Sequence, residues 1–155
     1  MSTQTTTINK AYPAIPGSVP AARNELADFA VAAGISQERL DGVRLAVSEA
    51  LSNVVLHAYP GGSGEIRLTA SVAGGELWIF IADDGVGLLP RIDGPGLGMG
   101  LVLIAHETDE LTIAKGATGG TELRMRFNLQ AAQAGAEVQS RGFVARATPA
   151  AAPIF

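Results

Sequence analysis

The sequence predicts an α+β fold, a two-layer sandwich in which a mixed β-sheet is covered on one face by about three helices. Two helical patterns follow one another before Pro60, and the strand-like runs after it come in pairs. A short apolar helix separates those pairs. Helices alternating with hairpins, rather than with single strands, are the pattern of a sheet with its helices gathered on one face.

The first segment, Thr5 to Ala14, has the β-branched content of an edge strand and is broken by Pro13 and Pro16. Ser18 then precedes Val19 and Pro20, a cap followed by proline in a first turn. Ala22, Leu26, Phe29 and Ala33 recur at helical spacing until Gly34 stops the helix. A longer helix begins near Ser36. Its apolar positions Leu40, Val43, Val47, Leu51, Val54 and Ala58 are three or four apart, and it ends before Pro60 and Gly61. Strands are predicted at Glu65 to Ala73 and Glu76 to Asp83, joined by Gly74 and Gly75, a two-residue hairpin signal. A glycine-rich loop leads to a third helix near Gly98 to His106. The last strands are Glu110 to Lys115 and Thr121 to Asn128, with Gly119 and Gly120 in the turn. Residues 1–129 form the predicted domain. Residues 130–155 are rich in alanine, hold no sustained period of 2 or 3.6, and read as a C-terminal tail.

Composition narrows the function. With 155 residues, 47% of them apolar, the chain can build one cored domain and not two. A net charge of -4 gives no basic stripe for nucleic acid. The absence of cysteine removes thiolate chemistry, disulfides and cysteine-based zinc sites, and two histidines make a poor metal set. MSTQTTTINK lacks a charged start followed by an apolar core, and no apolar run approaches the ~18 residues of a membrane span. We therefore expect a cytoplasmic protein that binds neither membrane nor nucleic acid directly.

Three constellations carry chemistry. On the second helix Glu49, Asn53 and His57 are four residues apart and share a stripe, about 200° around the helix from Val47 and Leu51. A carboxylate and a carboxamide one turn apart can hold hydrated magnesium or orient a nucleophile. Taken alone, such a stripe is more often a solvated helix face. The second is DDGVG, in which Asp83 ends the apolar run LWIFIA and Gly85 and Gly87 permit a sharp turn and close approach to a ligand. A carboxylate there can accept from an exocyclic amine such as that of adenine, although an Asp-Gly turn is common for its own sake. The third is GPGLGMGL, Gly94 to Leu101, before the apolar helix LVLIA. Amides exposed by glycine at a helix start can cradle phosphate. Neither the dinucleotide fingerprint nor a Walker sequence is present.

In this order the motifs resemble the GHKL ATPase superfamily, the histidine kinase-like ATPases with the Bergerat-type ATP-binding fold. Within it they are most similar to the anti-sigma-factor serine/threonine kinases, over about Ile15 to Phe127. The resemblance implies ATP and Mg2+ as ligands, with Glu49 as general base and Asn53 as the magnesium ligand. It implies Asp83 as the adenine contact, within a glycine box matched by Asp83, Gly85 and Gly87. The second box would bind phosphates through the amides of Gly96, Leu97, Gly98, Met99 and Gly100, and Thr121, after Gly120, would help hold adenine. No basic residue lies between Gly94 and Gly100, which leaves Arg91 and Lys115 as the nearest cations in sequence to the γ-phosphate. The lid from Leu88 to Leu97 is shorter than in many members, which implies closure that depends on a partner.

The function so implied is an anti-sigma regulatory factor and serine/threonine-protein kinase. It would phosphorylate an anti-anti-sigma antagonist protein and regulate transcription through a sigma factor. The alternative is a nucleotide-responsive partner-binding module with little or no kinase activity. Histidine kinases carry a dimerising helical segment with a phospho-accepting histidine, and no such segment is expected before this domain. His57 and His106 are expected to be structural or to support neighbouring site residues rather than to accept phosphate. The family often forms homodimers, and no sequence seam decides whether this chain does.

Overall fold

A computed structural model of the chain describes residues 6–87 and 97–130. The predicted tail beyond residue 130 and most of the lid, with Arg91 and Gly96, lie outside them. The elements run β1 (Thr6–Pro13), α1 (Ser18–Ala32), α2 (Gln37–Asn53), a π-helical turn (Val54–Ala58), β2 (Glu65–Ala73), β3 (Glu76–Asp83), α3 (Leu97–Glu107), β4 (Glu110–Lys115) and β5 (Thr121–Asn128). The α+β class is as expected.

One sheet has the order β1-β2-β3-β5-β4, and every pairing in it is antiparallel. The expected mixed sheet is therefore corrected. The chain leaves β3, passes through α3 and returns as β4 running parallel to β3, but β5 fills the place between them and opposes both. No parallel neighbours result.

Alternation sorts each strand into two faces. Ile66, Leu68 and Ala70 of β2, Leu77, Ile79 and Ile81 of β3, and Leu123, Met125 and Phe127 of β5 are all buried and paired in register. Against them pack Leu26 and Ala30 of α1, Val43, Val47 and Leu51 of α2, and Ile104 of α3. The helix α2 lies between α1 and α3. All six apolar positions predicted for the long helix are buried. Continued by two residues, the same alternation carries Asp83 and Thr121 onto the helix-facing side, where both are buried. The opposite face bears Trp78 and Phe80, stacked at 6.3 Å, with the Arg126 guanidinium 5.9 Å from the Trp78 ring.

Local chemistry sets the boundaries. Ser36 caps α2, its hydroxyl accepting from the Arg39 amide at 3.3 Å. Ser18 does not cap α1. It is the first helical residue, because Gly17 is already helical and the Ser18 amide is taken by Ile15 O at 3.0 Å. Gly74 and Gly75 both have positive φ, as their two-residue hairpin requires. The edge strand β1 is fastened to α1 by Tyr12, whose hydroxyl donates to Glu25, and by Lys10, 3.3 Å from the same carboxylate. Burial, and then Glu25, push the Tyr12 hydroxyl up to about 12. At the other end Arg39 of α2 meets Asp109 at 2.7 Å, and Asp109 also accepts from the Asn128 amide.

Candidate functional site

The polar stripe of α2 is not a solvated face. Asn53 is buried at 7% exposure and Glu49 is half-buried, because the start of α3 lies over them. A methyl group on Gly100 would stand 3.1 Å from Glu49 Oε2, 3.6 Å from Asn53 Oδ1 and 3.7 Å from Asn53 Nδ2. Only glycine leaves that gap open. Asn53 Nδ2 is the one buried side-chain polar atom without a hydrogen-bond partner among the described residues. A buried amide left unpaired costs about 1–3 kcal/mol, so such groups mark sites that a ligand completes. The two ends of a carboxamide are isosteric, and turning it presents the oxygen instead.

His57 does not join this stripe. After Asn53 the helix widens into the π-turn Val54–Ala58, which breaks the spacing of four, and His57 is exposed. His106 is exposed too, 3.3 Å from Glu107 Oε1. Both histidines therefore lie at the surface.

The π-turn has a second effect. It sends the Ala58 carbonyl toward the loop after β3, where the Val86 amide donates to it at 2.9 Å. Gly85 presses on the same carbonyl, since a methyl group there would be 2.0 Å from Ala58 O. Gly85 is thus needed for space, whereas Gly87 is needed for conformation, with φ +82. The loop that follows Asp83 is in this way fixed to the helix that carries Glu49 and Asn53.

Asp83 ends β3 with 3% exposure, facing the helices. Burial raises its pKa, and the amides of Gly85, at 2.9 Å, and of Thr121 offset part of that rise by donating to it. Gly120 packs so closely that a methyl group on it would lie 2.0 Å from Asp83 O. A methyl on Gly87 would be 3.8 Å from Thr121 Oγ1. The predicted residues Asp83, Gly85, Gly87 and Thr121 therefore meet at one end of the sheet, and Glu49, Asn53 and Gly100 meet above α2.

The helix α3 begins at Leu97, one residue earlier than expected. The first four amides of any α-helix lack partners within it, and here they belong to Leu97, Gly98, Met99 and Gly100. Lys115 is exposed, in register with Thr121. The arrangement offers a buried carboxylate acceptor, a row of amides at a helix N-terminus, and a Glu-Asn pair beneath that row. Such a set can hold a base with an exocyclic amine, a polyphosphate and a hydrated divalent cation. Among the described residues no cluster of three or more His, Cys, Asp or Glu could hold a metal by protein ligands alone. An oxygen-bearing side chain with several retained waters suits magnesium rather than zinc, which takes three or four nitrogen, sulfur or carboxylate ligands.

Arg67, Tyr59, Asp84 and Thr118 join the site without having been candidates in the sequence, and Ala58 was expected there only as an apolar helix position. The Tyr59 hydroxyl accepts from the Asp84 amide at 2.9 Å and donates to Glu65 O at 2.7 Å. Asp84 pairs with Arg67 and accepts from Thr118 at 2.8 Å. Asp84 stood inside a noticed motif, but the π-turn that places Tyr59 has no sequence signature.

Comparison with known proteins agrees with this geometry. Residues 12–127 match the model of the histidine kinase-like ATPase domain. The chain is similar to the anti-sigma F factor of Clostridium kluyveri, with 32% identity over 117 residues, 64% of this chain and 82% of that protein. It is 31% identical over 131 residues to the anti-sigma F factor of Clostridium botulinum, covering 72% of this chain and 92% of the relative. The anti-sigma F factor of Clostridium acetobutylicum is 28% identical over 116 residues, 68% and 81% of the two chains. No helix among the described residues is long and apolar enough to cross a membrane.

Proposed function

Since the chain belongs to the histidine kinase-like ATPase domain family, we propose that it is an ATP-binding anti-sigma regulatory factor and protein serine/threonine kinase. Its acceptor would be a serine or threonine of an anti-anti-sigma antagonist protein, and through a sigma factor it would regulate transcription. Relatives that carry the name anti-sigma F factor support the regulatory part of this reading. The observation that carries the kinase part is the stacking of Gly100 on Glu49 and Asn53, which sets a helix N-terminus over a carboxylate.

In this reading Asp83 accepts from the adenine amine, and Thr121 beside it helps enclose the base. The amides of Leu97 to Gly100, together with Gly96, bind phosphate oxygens. Asn53 would hold magnesium, whose charge offsets that of the phosphates when it is bound. The orphaned Asn53 amide and the glycine gap above it fit such a group. Phosphoryl transfer is mainly positioning and electrostatics, so little covalent chemistry is asked of the protein. The acceptor hydroxyl oxygen bonds to the γ-phosphorus as its bond to the bridging oxygen breaks. ADP leaves, and the hydroxyl proton passes to the Glu49 carboxylate.

The test is incubation with labelled ATP, magnesium and a candidate antagonist protein. Label should move to the antagonist with the wild-type chain and not with Glu49→Gln, while both bind ATP. Binding without transfer to any antagonist would instead make the chain a nucleotide-responsive binding module.

A further inference from the structure

Asp83 and Asp84 are neighbours with opposite surroundings. Strand alternation turns Asp83 inward and leaves Asp84 exposed on the other side. Yet Asp84 is the more heavily connected of the two. Both nitrogens of the Arg67 fork donate to it, one of them at 3.0 Å to Oδ1. The Thr118 hydroxyl donates to Oδ1 at 2.8 Å, and the Asp84 amide donates to Tyr59 Oη at 2.9 Å. Tyr59 is held in turn by Glu65 O and by Gly64, where any side chain would collide with its ring. Three segments thus converge on one residue: β2, the end of the π-turn and the β4–β5 connection. Arg67 first, and then Thr118, hold the Asp84 carboxyl below the usual carboxylate range, so it is an acceptor only at neutral pH.

These bonds lie next to Asp83, at the head of a loop whose Gly85 and Gly87 supply no side chains to hold it. The β4–β5 connection that Thr118 ties down also carries Gly120 and Thr121, the other wall around Asp83. Resting on the nucleotide-site reading above, we propose that Asp84 is a positioning residue that selects adenine over guanine. Through Arg67, Thr118 and Tyr59 it locks both loops that place the Asp83 carboxylate. Adenine offers an amine where guanine offers a carbonyl oxygen. A carboxylate fixed there accepts from the first and repels the second. A carboxylate free to shift loses that discrimination, because polar recognition depends on placement within about 0.5 Å.

The experiment measures dissociation constants of the full chain for ATP, GTP and inorganic tripolyphosphate, each with magnesium, in wild type, Asp84→Ala, Asp84→Asn and Arg67→Lys. Asp84→Ala should weaken ATP binding about tenfold while GTP and tripolyphosphate change less than about twofold, so that the ATP-to-GTP ratio collapses. Asp84→Asn keeps an acceptor for Thr118 and should lose less. Arg67→Lys keeps the charge but not the fork, and should also lower the ratio; it decides the matter if Asp84→Ala does not fold. An unchanged ratio in Asp84→Ala or, failing that, in Arg67→Lys overturns the proposal. So does an equal loss for all three ligands, which would mark a merely structural role. Wild-type protein that binds none of the three overturns the nucleotide-site reading itself, and this inference with it.

Discussion

Gly100 of α3 lies directly against Glu49 of α2, so close that a methyl group on it would be 3.1 Å from the carboxylate oxygen. The space is kept empty at some cost, because glycine inside a helix is about 1 kcal/mol worse than alanine. Gly100→Ala should therefore leave the melting temperature unchanged or raise it, since Glu49 is the end of a flexible side chain. The same substitution should weaken Mg·ATP binding about tenfold by crowding the phosphate and metal position. Calorimetry and thermal unfolding of the one variant check both.

Asn53 presents the same opposition of stability and function. Its Nδ2 is buried without a partner, so Asn53→Ala removes an unsatisfied group and should change folding free energy by no more than about 1 kcal/mol, in either direction. A ligand at 100 times its dissociation constant stabilises a fold by about 2.7 kcal/mol. That increment, seen as a rise in melting temperature on adding Mg·ATP, should appear in wild type and vanish in Asn53→Ala.

Much of this site is legible in the residue pattern, and the illegible parts have physical reasons. Apolar spacing finds α1 and α2 because each buries one face, and the burial of the six apolar positions from Leu40 to Ala58 follows it. The glycine pairs mark both hairpins. What periodicity cannot show is a change of period. The π-turn at Val54–Ala58 moves His57 off the stripe and delivers the Ala58 carbonyl to Val86, with no residue type to announce it. Nor does strand pattern reveal that β5 inserts between β3 and β4, which makes the sheet antiparallel instead of mixed. The burial of Asn53 is likewise tertiary, imposed by α3.

Asp83 makes stability depend on pH. Burial raises its folded-state pKa above the unfolded value. Its contribution is therefore fully present below the unfolded-state pKa and is lost as pH rises through the folded-state pKa. Asp83→Asn should match wild type in acid and become the more stable of the two as pH approaches neutrality. Unfolding by urea across that range measures the difference, which should widen upward in pH.

The ion pair of Arg39 with Asp109 serves the fold and not the site. The side chains are 17% and 4% exposed, and the pair ties the start of α2 to the loop before β4. Arg39→Met leaves a carboxylate in a largely dry place with its countercharge gone. We expect a loss of about 3 kcal/mol in urea unfolding, with the ATP dissociation constant unchanged wherever the protein is folded.

The central claim is that Glu49 and Asn53, the Asp83 loop and the start of α3 form one ATP site. Calorimetric titration of the full chain with Mg·ATP tests it most directly. The account predicts one ATP per chain in wild type, binding kept in Glu49→Gln, and affinity reduced by about 100-fold in Asp83→Asn. Wild-type protein that takes up no ATP, or an Asp83→Asn variant that binds it as tightly, would contradict the account.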